Sequence, residues 1–563
     1  MTTMKVFLAI SFIISANTLL AQCNNNRVGA QIAQGVVYAD ANNNGVREAN
    51  ETGIADVAIS NGCDVVISNS DGRYEISVAP TEIIFLSKPA NYLVPVDEYN
   101  VPQFFYAHYP DGVPAQIAGT SVEWMWPVMD ATGPLPPSID FSLIPTESKF
   151  EFLAHGFADT QAQYEIGQDM VRENLVNPLI DNPFGVEFGL TVGDVVFDNL
   201  GLYDRHKAMM GLMRIPQWYL PGNHDMNFES PNAQFANETY KKHFGPPYYS
   251  FDYGNVHFVA LNNVEYAGAD NGFSNGVYRG FISDVQLQWL RNNLTHVPTE
   301  KLLVIASHIP LITEADDGVS PILTGPNTEN FAELLKILEP FENIYGLAGH
   351  DTSNSFKVQI NHQHGWTGKP WIAHTLGEVR GSGWTRGPRD FRGVRDAMMQ
   401  DGNPNGFYVL KFNNVELTPE FIPFPSSSDG TNRLRIMLDP PMALSEINGI
   451  HRGVLQAGTK LIVNLFDGGV RDSVRASIDG GEEVLMAYKV RVDPFIEKLY
   501  EEFRDTDDAY PTPDRSSHIW ELVIPDNLNI GLHHIVVRST DEFGQSQRGT
   551  FTFELDGNLP TNF

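Results

Sequence analysis

The stretch "QWYLPGNHD", Gln217 to Asp225, decides the fold. Its first half is apolar and β-prone; its second half is a turn carrying Asn223, His224 and Asp225. The same event recurs on both sides: an apolar run ends, and metal-type ligands follow at once. "FEFLAHGFADTQ" delivers Asp159 and Gln161, and "FGLTVGDVVFD" delivers Asp194 with Asp198 beyond. "KLLVIASHIPL" delivers His308, and "NIYGLAGHD" delivers His350. Helical stretches such as "QDMVRENLVNPLI", "DRHKAMMGLMR", "DVQLQWLRNNL" and "NFAELLKILEPF" separate the runs. That alternation predicts α/β organisation. In open α/β sheets, ligands gather beyond the carboxyl ends of the strands. Taken singly, Asp194 could cap a helix, Asn223 hold a turn and His308 sit satisfied in a core. Five strand ends carrying such residues in one region have no such ordinary explanation.

The chemistry that fits is a two-metal centre. Two divalent ions about 3.5–4 Å apart need a carboxylate between them and nitrogen or oxygen ligands on either side. Such ions lower the pKa of bound water, provide a hydroxide nucleophile and neutralise phosphate oxygens. The last point matters here. The chain has 563 residues, with 37 Lys and Arg against 69 Asp and Glu, a net charge of -32. That surface repels nucleic acid, anionic lipid and phosphate alike, so an anionic substrate needs local positive charge.

The ordered set D-x-Q, GDxxxD, GNHD, H and GH resembles the calcineurin-like metallophosphoesterase superfamily over about residues 148–355. The flanking "FGPPYYSFDYGNVHFVALNN", "DGNPNGFYVLKF", "SSHIWELVIP" and "STDEFG" are similar to a bacterial multidomain branch, with an N-terminal β-sandwich and a C-terminal metallophosphoesterase-associated domain. The resemblance implies two divalent metal ions of the Mn, Fe or Zn class. Asp159 and Gln161 would serve the first site, Asp194 would bridge, and Asn223, His308 and His350 would complete the second. His224 would be the general acid or phosphate contact, with Asp225 orienting it and Asp198 either supporting a site residue from behind or capping. Two departures fall on the first site. Gln161 stands where many members have histidine, and Thr352 stands where "GHxH" has its second histidine. One metal is therefore expected to bind weakly, with Asp351 or water as candidate substitutes. The implied activity is hydrolysis of a small phosphate ester by metal-activated hydroxide at a dinuclear-type centre, monoester and diester both open. The rival is a degenerate member acting as a surface binding protein.

The expected architecture is multidomain: a central α/β metallophosphoesterase fold, a β-sandwich core flanked by helices, between N- and C-terminal all-β sandwich domains. Residues 1–21 read as a signal peptide, apolar from Val6 to about Leu20, which implies secretion or a periplasmic location. Cys23 is either lipid-anchored, bridged to Cys63, or neither. No run reaches transmembrane length. The N-terminal sandwich spans 24–147, the phosphoesterase domain 148–355 and the C-terminal β-rich domain 356–556. Within the first, "DANNNGVREANE" has the spacing of a calcium loop, with oxygens from Asp40, Asn42, Asn44, Val46 and Glu51 and Gly45 at the turn. It resembles the calcium-loop β-sandwich repeats of bacterial surface proteins. Tyr278 and Arg279, with His362, His364, His374, Arg380, Trp384 and Arg386, are candidates for a pocket wall, Arg279 and Trp384 first as substrate contacts.

Overall fold

The apolar run ahead of each ligand forms a buried strand. A computed structural model describes residues 27–117, 119–269, 277–316, 321–322, 327–381, 384–396, 398–424, 433–442, 444–445 and 451–556. In the first central sheet, Glu151–Phe157, Gly189–Val192 and Gln217–Leu220 pair in parallel. The antiparallel strands Gly406–Asn413 and Glu416–Pro423 extend it on the other side. In the second, Val256–Leu261, Leu302–Ser307, Asn343–Ala348 and Trp371–Thr375 run parallel. Tyr249–Tyr253 and Phe356–Ile360 close its two edges antiparallel. Parallel strands buried on both faces explain why these runs are continuously apolar rather than alternating.

The two sheets meet over aromatic rings. Trp218 stacks on Phe251 at 4.1 Å, and Phe251 on Phe258 at 4.8 Å. Each such side chain contributes about 1.5–3 kcal/mol when fully buried. Helices cover the outside where the sequence places them: Glu165–Val171, Tyr203–Met210, Asp284–Leu294 and Phe331–Leu338. In Asp284–Leu294, Ser283 caps the amino end by accepting from Gln286 N at 3.3 Å. Its buried Leu287, Trp289, Leu290 and Leu294 repeat at helical spacing.

Ahead of this core lie two four-stranded sheets. One orders Arg73–Val78, Gln31–Ala39, Phe141–Pro145 and Tyr92–Leu93; the other orders Val65–Ile67, Ala58–Ser60, Glu82–Leu86 and Phe105–His108. Their buried residues are continuous with the central core: Phe104 packs on Trp218 at 5.2 Å and on Tyr249 at 5.1 Å. Lys88 is buried in the same seam, where Nζ donates to Tyr92 O at 2.8 Å and to Asp252 O at 2.6 Å. Cys63 is buried and disulfide-bonded. The chain's other cysteine, Cys23, and the expected leader lie outside the described residues. No helix among the described residues is long and apolar enough to cross a membrane.

Behind the core, Leu434–Asp439, Lys460–Leu465, Arg515–Val523 and Ala487–Val492 form one sheet, and a six-stranded sheet holds Ser473–Ile478, Gly531–Thr540 and Ser546–Leu555. They share their own core, with Val463, Trp520 and Val537 buried. The boundary expected after residue 355 falls inside the second central sheet. Phe356–Ile360 and Trp371–Thr375 complete that sheet, and Gly406–Asn413 and Glu416–Pro423 complete the first. A short strand reads the same whether it joins an α/β sheet edge or a separate sandwich, so its partner is invisible locally. The seam with the last module is polar: Asp467 takes Tyr408 OH and His374 Nε2, each at 2.9 Å, and Lys357 Nζ at 3.1 Å.

Candidate metal centre

Asp159, Gln161, Asp194, Asp198 and His350 all have positive φ, between 45° and 72°. Non-glycine residues rarely adopt that region, and clusters of them mark sites that the surrounding structure over-determines. Each sits in the turn that breaks a buried strand. The glycines before the ligands have a steric reason. A Cβ on Gly193 would stand 2.3 Å from His308 Nδ1, and one on Gly222 would stand 2.1 Å from Asp194 Oδ1. The "GD" and "GN" pairs therefore exist because the neighbouring ligand occupies the space a side chain would need.

The turns bring one cluster together. Ligand atoms of Asp194, His308 and His350 all lie within 4.8 Å of one another. His308 Nε2 is 3.2 Å from Asp194 Oδ1, 3.0 Å from Asn223 Oδ1 and 3.1 Å from His350 Nδ1. His308 Nδ1 faces Val192 O at 2.9 Å, which fixes the ring and leaves Nε2 turned into the cluster. Beside it, Gln161 Nε2 lies 2.5 Å from Asp194 Oδ2, while Gln161 Oε1 is buried without a hydrogen-bond partner. His350 N donates to Asp159 Oδ2 at 3.0 Å. Two imidazole nitrogens, an amide oxygen and carboxylates converge with an orphaned buried oxygen alongside. That donor set fits divalent cations.

The electrostatics agree. Burial pushes the Asp159 carboxyl up to about 7, with Asp194 adding to it against the charge of His308. Burial acts the same way on Asp194, but His308 and His224 outweigh it and hold that carboxylate below its usual range. His308 in turn is raised to about 9, Asp194 overcoming the burial of the ring. Burial and the charge of His308 lower His350 to about 3.

His224 sits above the cluster, stacked on Phe197 with centroids 4.0 Å apart. Its backbone N donates to Asp194 Oδ1 at 2.9 Å, and its Nδ1 pairs with Asp198 Oδ1 at 2.7 Å. Burial opposes the imidazolium, but Asp194 and Asp198 raise its pKa. Asp198, expected either to support a site residue from behind or to cap, is thus the partner of His224. Asp225 is not. Its carboxylate is fully buried and accepts from Gly222 N at 2.8 Å, Val195 N at 3.0 Å and Tyr203 OH at 2.9 Å. It ties two ligand turns together, and its hydrogen bonds go to these groups rather than to the His224 ring. Chain proximity suggested the pairing, but consecutive residues in a tight turn point in different directions.

A cavity of about 440 Å³ opens over the cluster, lined by Gln161, Asp194, Asn223, His224, Tyr278, His350, Thr352 and Arg386 among others. Both residues expected to contact substrate lie elsewhere. Arg279 pairs with Glu265 at 2.6 Å and Glu329 at 2.9 Å, and does not line the cavity. Trp384 is 2% exposed, and its Nε1 donates to Thr160 O at 2.9 Å. Alternation along Tyr278–Gly280 turns Tyr278 inward and Arg279 outward. Of the other candidates, Arg386 reaches the cavity. His364 faces Glu314 at 3.3 Å, and His374 is committed to Asp467. The strut from Trp384 to Thr160 left no sequence signal, since it joins segments 224 residues apart.

The N-terminal loop folds around its own oxygens. Asp40, with no exposed surface, accepts from Asn44 N at 3.1 Å and Gly45 N at 2.8 Å. Asn44 Oδ1 accepts from Val46 N at 2.8 Å, and the amides of Asn42 and Asn44 donate to Glu48. Glu51 Oε2 accepts from Glu48 N at 3.0 Å, and Glu51 Oε1 is buried without a partner.

Comparison with known proteins gives two family matches. The N terminal of calcineurin-like phosphoesterase matches residues 41–117, and the C terminal of calcineurin-like phosphoesterase matches residues 373–546. No curated protein matches. Among solved structures, purple acid phosphatase PPD1 from yellow lupin (Lupinus luteus) seeds is similar at 13% identity and a TM-score of 0.31, over 71% of this chain and 68% of that one.

Proposed function

Since this chain belongs to the calcineurin-like metallophosphoesterase superfamily, we propose that it is an exported metal-dependent phosphoesterase with a dinuclear-type centre. The observation that carries the reading is the convergence of Asp194, His308 and His350 within 4.8 Å at the floor of a 440 Å³ cavity. Asp159 and Gln161 would hold the first cation, Asn223, His308 and His350 would hold the second, and Asp194 would serve both. Bound there, the cations supply charge neutralisation for phosphate and an activated water.

The chain's own residues do the rest. Asp198 fixes the His224 ring through Nδ1 at 2.7 Å, and the ring lines the cavity. With its pKa raised, His224 holds a proton that it donates from Nε2 to the departing alkoxide oxygen. Arg386, exposed beside the cavity, adds positive charge for the phosphate. Tyr278 packs edge-on against His350, with centroids 5.9 Å apart, and walls the far side. The flanking β modules act as scaffolds: the first is joined to the central core through Phe104 and Lys88, the last through Asp467. The N-terminal loop is proposed to hold Ca²⁺ as a structural ion, with Glu51 Oε1 as a ready ligand.

The test is elemental analysis of bound metal, followed by assay of a chromogenic phosphomonoester and the matching diester with Mn²⁺ or Zn²⁺. Turnover of either, abolished by Asp194→Ala, is expected. Equal inactivity of wild type and Asp194→Ala would overturn the enzyme reading and leave a degenerate binding protein.

A further inference from the structure

Part of the cavity wall is built outside the ligand turns, by residues 384–387. Thr385 and Arg386 line the cavity and are exposed. The backbone that carries them is held on both sides. Trp384, with φ of 61°, is buried and tied to Thr160 O. Gly387, with φ of 81°, has no room for a side chain, since a Cβ there would stand 1.9 Å from Asp396 O. Gly387 N donates to Ala509 O at 3.4 Å, and Gly387 O accepts from Arg395 Nη1 at 2.6 Å. Between these two anchors, Arg386 O accepts from Nη2 of the buried Arg380 at 2.6 Å. Arg380 N in turn donates to Asp159 O at 3.0 Å. The Arg386 backbone is therefore fixed to the turn that carries Asp159. A left-handed conformation such as that of Trp384 persists only where the surroundings impose it.

The Arg386 side chain is as free as its backbone is fixed. Among the described residues its guanidinium has no hydrogen-bond or ion-pair partner. The chain has 69 Asp and Glu, and nearby arginines are taken by them: Arg279 by Glu265 and Glu329, and Arg395 by Asp508. Of the residues that line the cavity, Arg386 alone carries a permanent positive charge. A guanidinium is a planar fork of donors that matches two oxygens of one phosphate. A fork on a fixed backbone loses little freedom when it engages one.

The number of oxygens decides which ester suits it. A phosphomonoester offers three non-bridging oxygens that share nearly two negative charges at neutral pH. A diester offers two that share one charge, and an ester oxygen bearing carbon takes the third position. The cluster on the cavity floor serves the reacting phosphate in either case. A second positive group at the exposed edge finds a matching charge only in the monoester. We infer that Arg386 is a specificity-determining residue, and that it selects phosphomonoester dianions over phosphodiesters.

This inference rests on the phosphoesterase reading above, and the experiment separates the two. Wild type, Arg386→Gln, Arg386→Lys and Arg389→Gln, each loaded with Mn²⁺, are assayed with 4-nitrophenyl phosphate and bis(4-nitrophenyl) phosphate. Binding of inorganic phosphate is measured by calorimetry. Arg389 is exposed on the same segment but does not line the cavity, so its variant removes an equal charge without the contact. Arg386→Gln is expected to lower both kcat/KM for the monoester and the affinity for inorganic phosphate by roughly 10–100-fold, and kcat/KM for the diester by less than about threefold. Arg386→Lys keeps the charge but not the fork, and should recover part of the monoester loss. Arg389→Gln should match wild type. Equal losses on both esters, a wild type that prefers the diester, or a loss in Arg389→Gln equal to that in Arg386→Gln overturns the inference and leaves the phosphoesterase reading standing. No turnover of either ester by wild type overturns both.

Discussion

Trp384 Nε1 donates to the carbonyl oxygen of Thr160 at 2.9 Å, so a buried indole 224 residues further along the chain props the turn between two metal-ligand candidates. Asp159 and Gln161 flank Thr160 with φ of 52° and 45°. A turn in that region persists only when neighbours over-determine it. Trp384→Phe keeps most of the apolar volume but leaves the Thr160 carbonyl unpaired. It is expected to cost about 1–3 kcal/mol in stability and to shrink the rise in melting temperature that Mn²⁺ gives. Thermal denaturation with and without Mn²⁺ checks both; an unchanged metal response would mean the strut does not hold the ligand turn.

His224 and Asp198 should behave as acid and positioner. His224→Asn is expected to lower kcat by roughly 10²–10⁴ while leaving metal content intact. Asp198→Asn should have a smaller effect and a different signature. Asp198 helps raise the His224 pKa, so without it His224 loses its proton at lower pH. The alkaline limb of the pH–kcat profile should therefore move to lower pH. Profiles that superimpose would remove His224 as the acid or Asp198 as its partner.

Asp225 should act on stability. It accepts three hydrogen bonds of 2.8–3.0 Å from Gly222, Tyr203 and Val195 while fully buried. Asp225→Asn replaces an acceptor-only group with one whose amide nitrogen must face donors. A loss of roughly 2–4 kcal/mol is expected, equal with and without metal, measured by urea denaturation. A full-stability variant with reduced kcat would return Asp225 to a catalytic role.

Lys88 gives a pH signature of its own. Burial lowers its pKa from 10.5 to about 7, although Asp252 works to raise it. Between about pH 7 and 10 the unfolded chain therefore binds more protons at this site than the folded one, so this contribution to stability rises with pH. Below pH 7 it is flat. The stability difference between wild type and Lys88→Met should move in favour of wild type across that window. A pH-independent difference in denaturant midpoints would show that Lys88 remains charged in the fold.

Glu51→Gln tests the N-terminal loop. Ca²⁺ at 100-fold over its dissociation constant is expected to stabilise the wild type by about 2.7 kcal/mol. The variant, which loses the carboxylate bearing the orphaned Oε1, should respond much less. Equal responses would place the ion elsewhere or remove it.

The sequence by itself determined the strands and the turns that end them. "GD", "GNHD" and "GH" follow continuously apolar runs because the same few residues must both bury a strand and break it. That pattern is local, so Asp159, Gln161, Asp194, Asn223, His308 and His350 were legible as strand-end candidates, as was the gap at Thr352. Three relationships were decided by tertiary structure. Residues 356–423 complete the central sheets because strand pairing depends on the partner and not on the strand. Asp198, not Asp225, faces His224 because side-chain direction in a tight turn follows backbone angles that spacing does not reveal. Trp384 comes back to the Asp159 turn only because its segment hydrogen-bonds to it across more than 200 residues. The motif thus placed the ligand candidates in the sequence, and the packing of a distant segment props the turn that carries two of them.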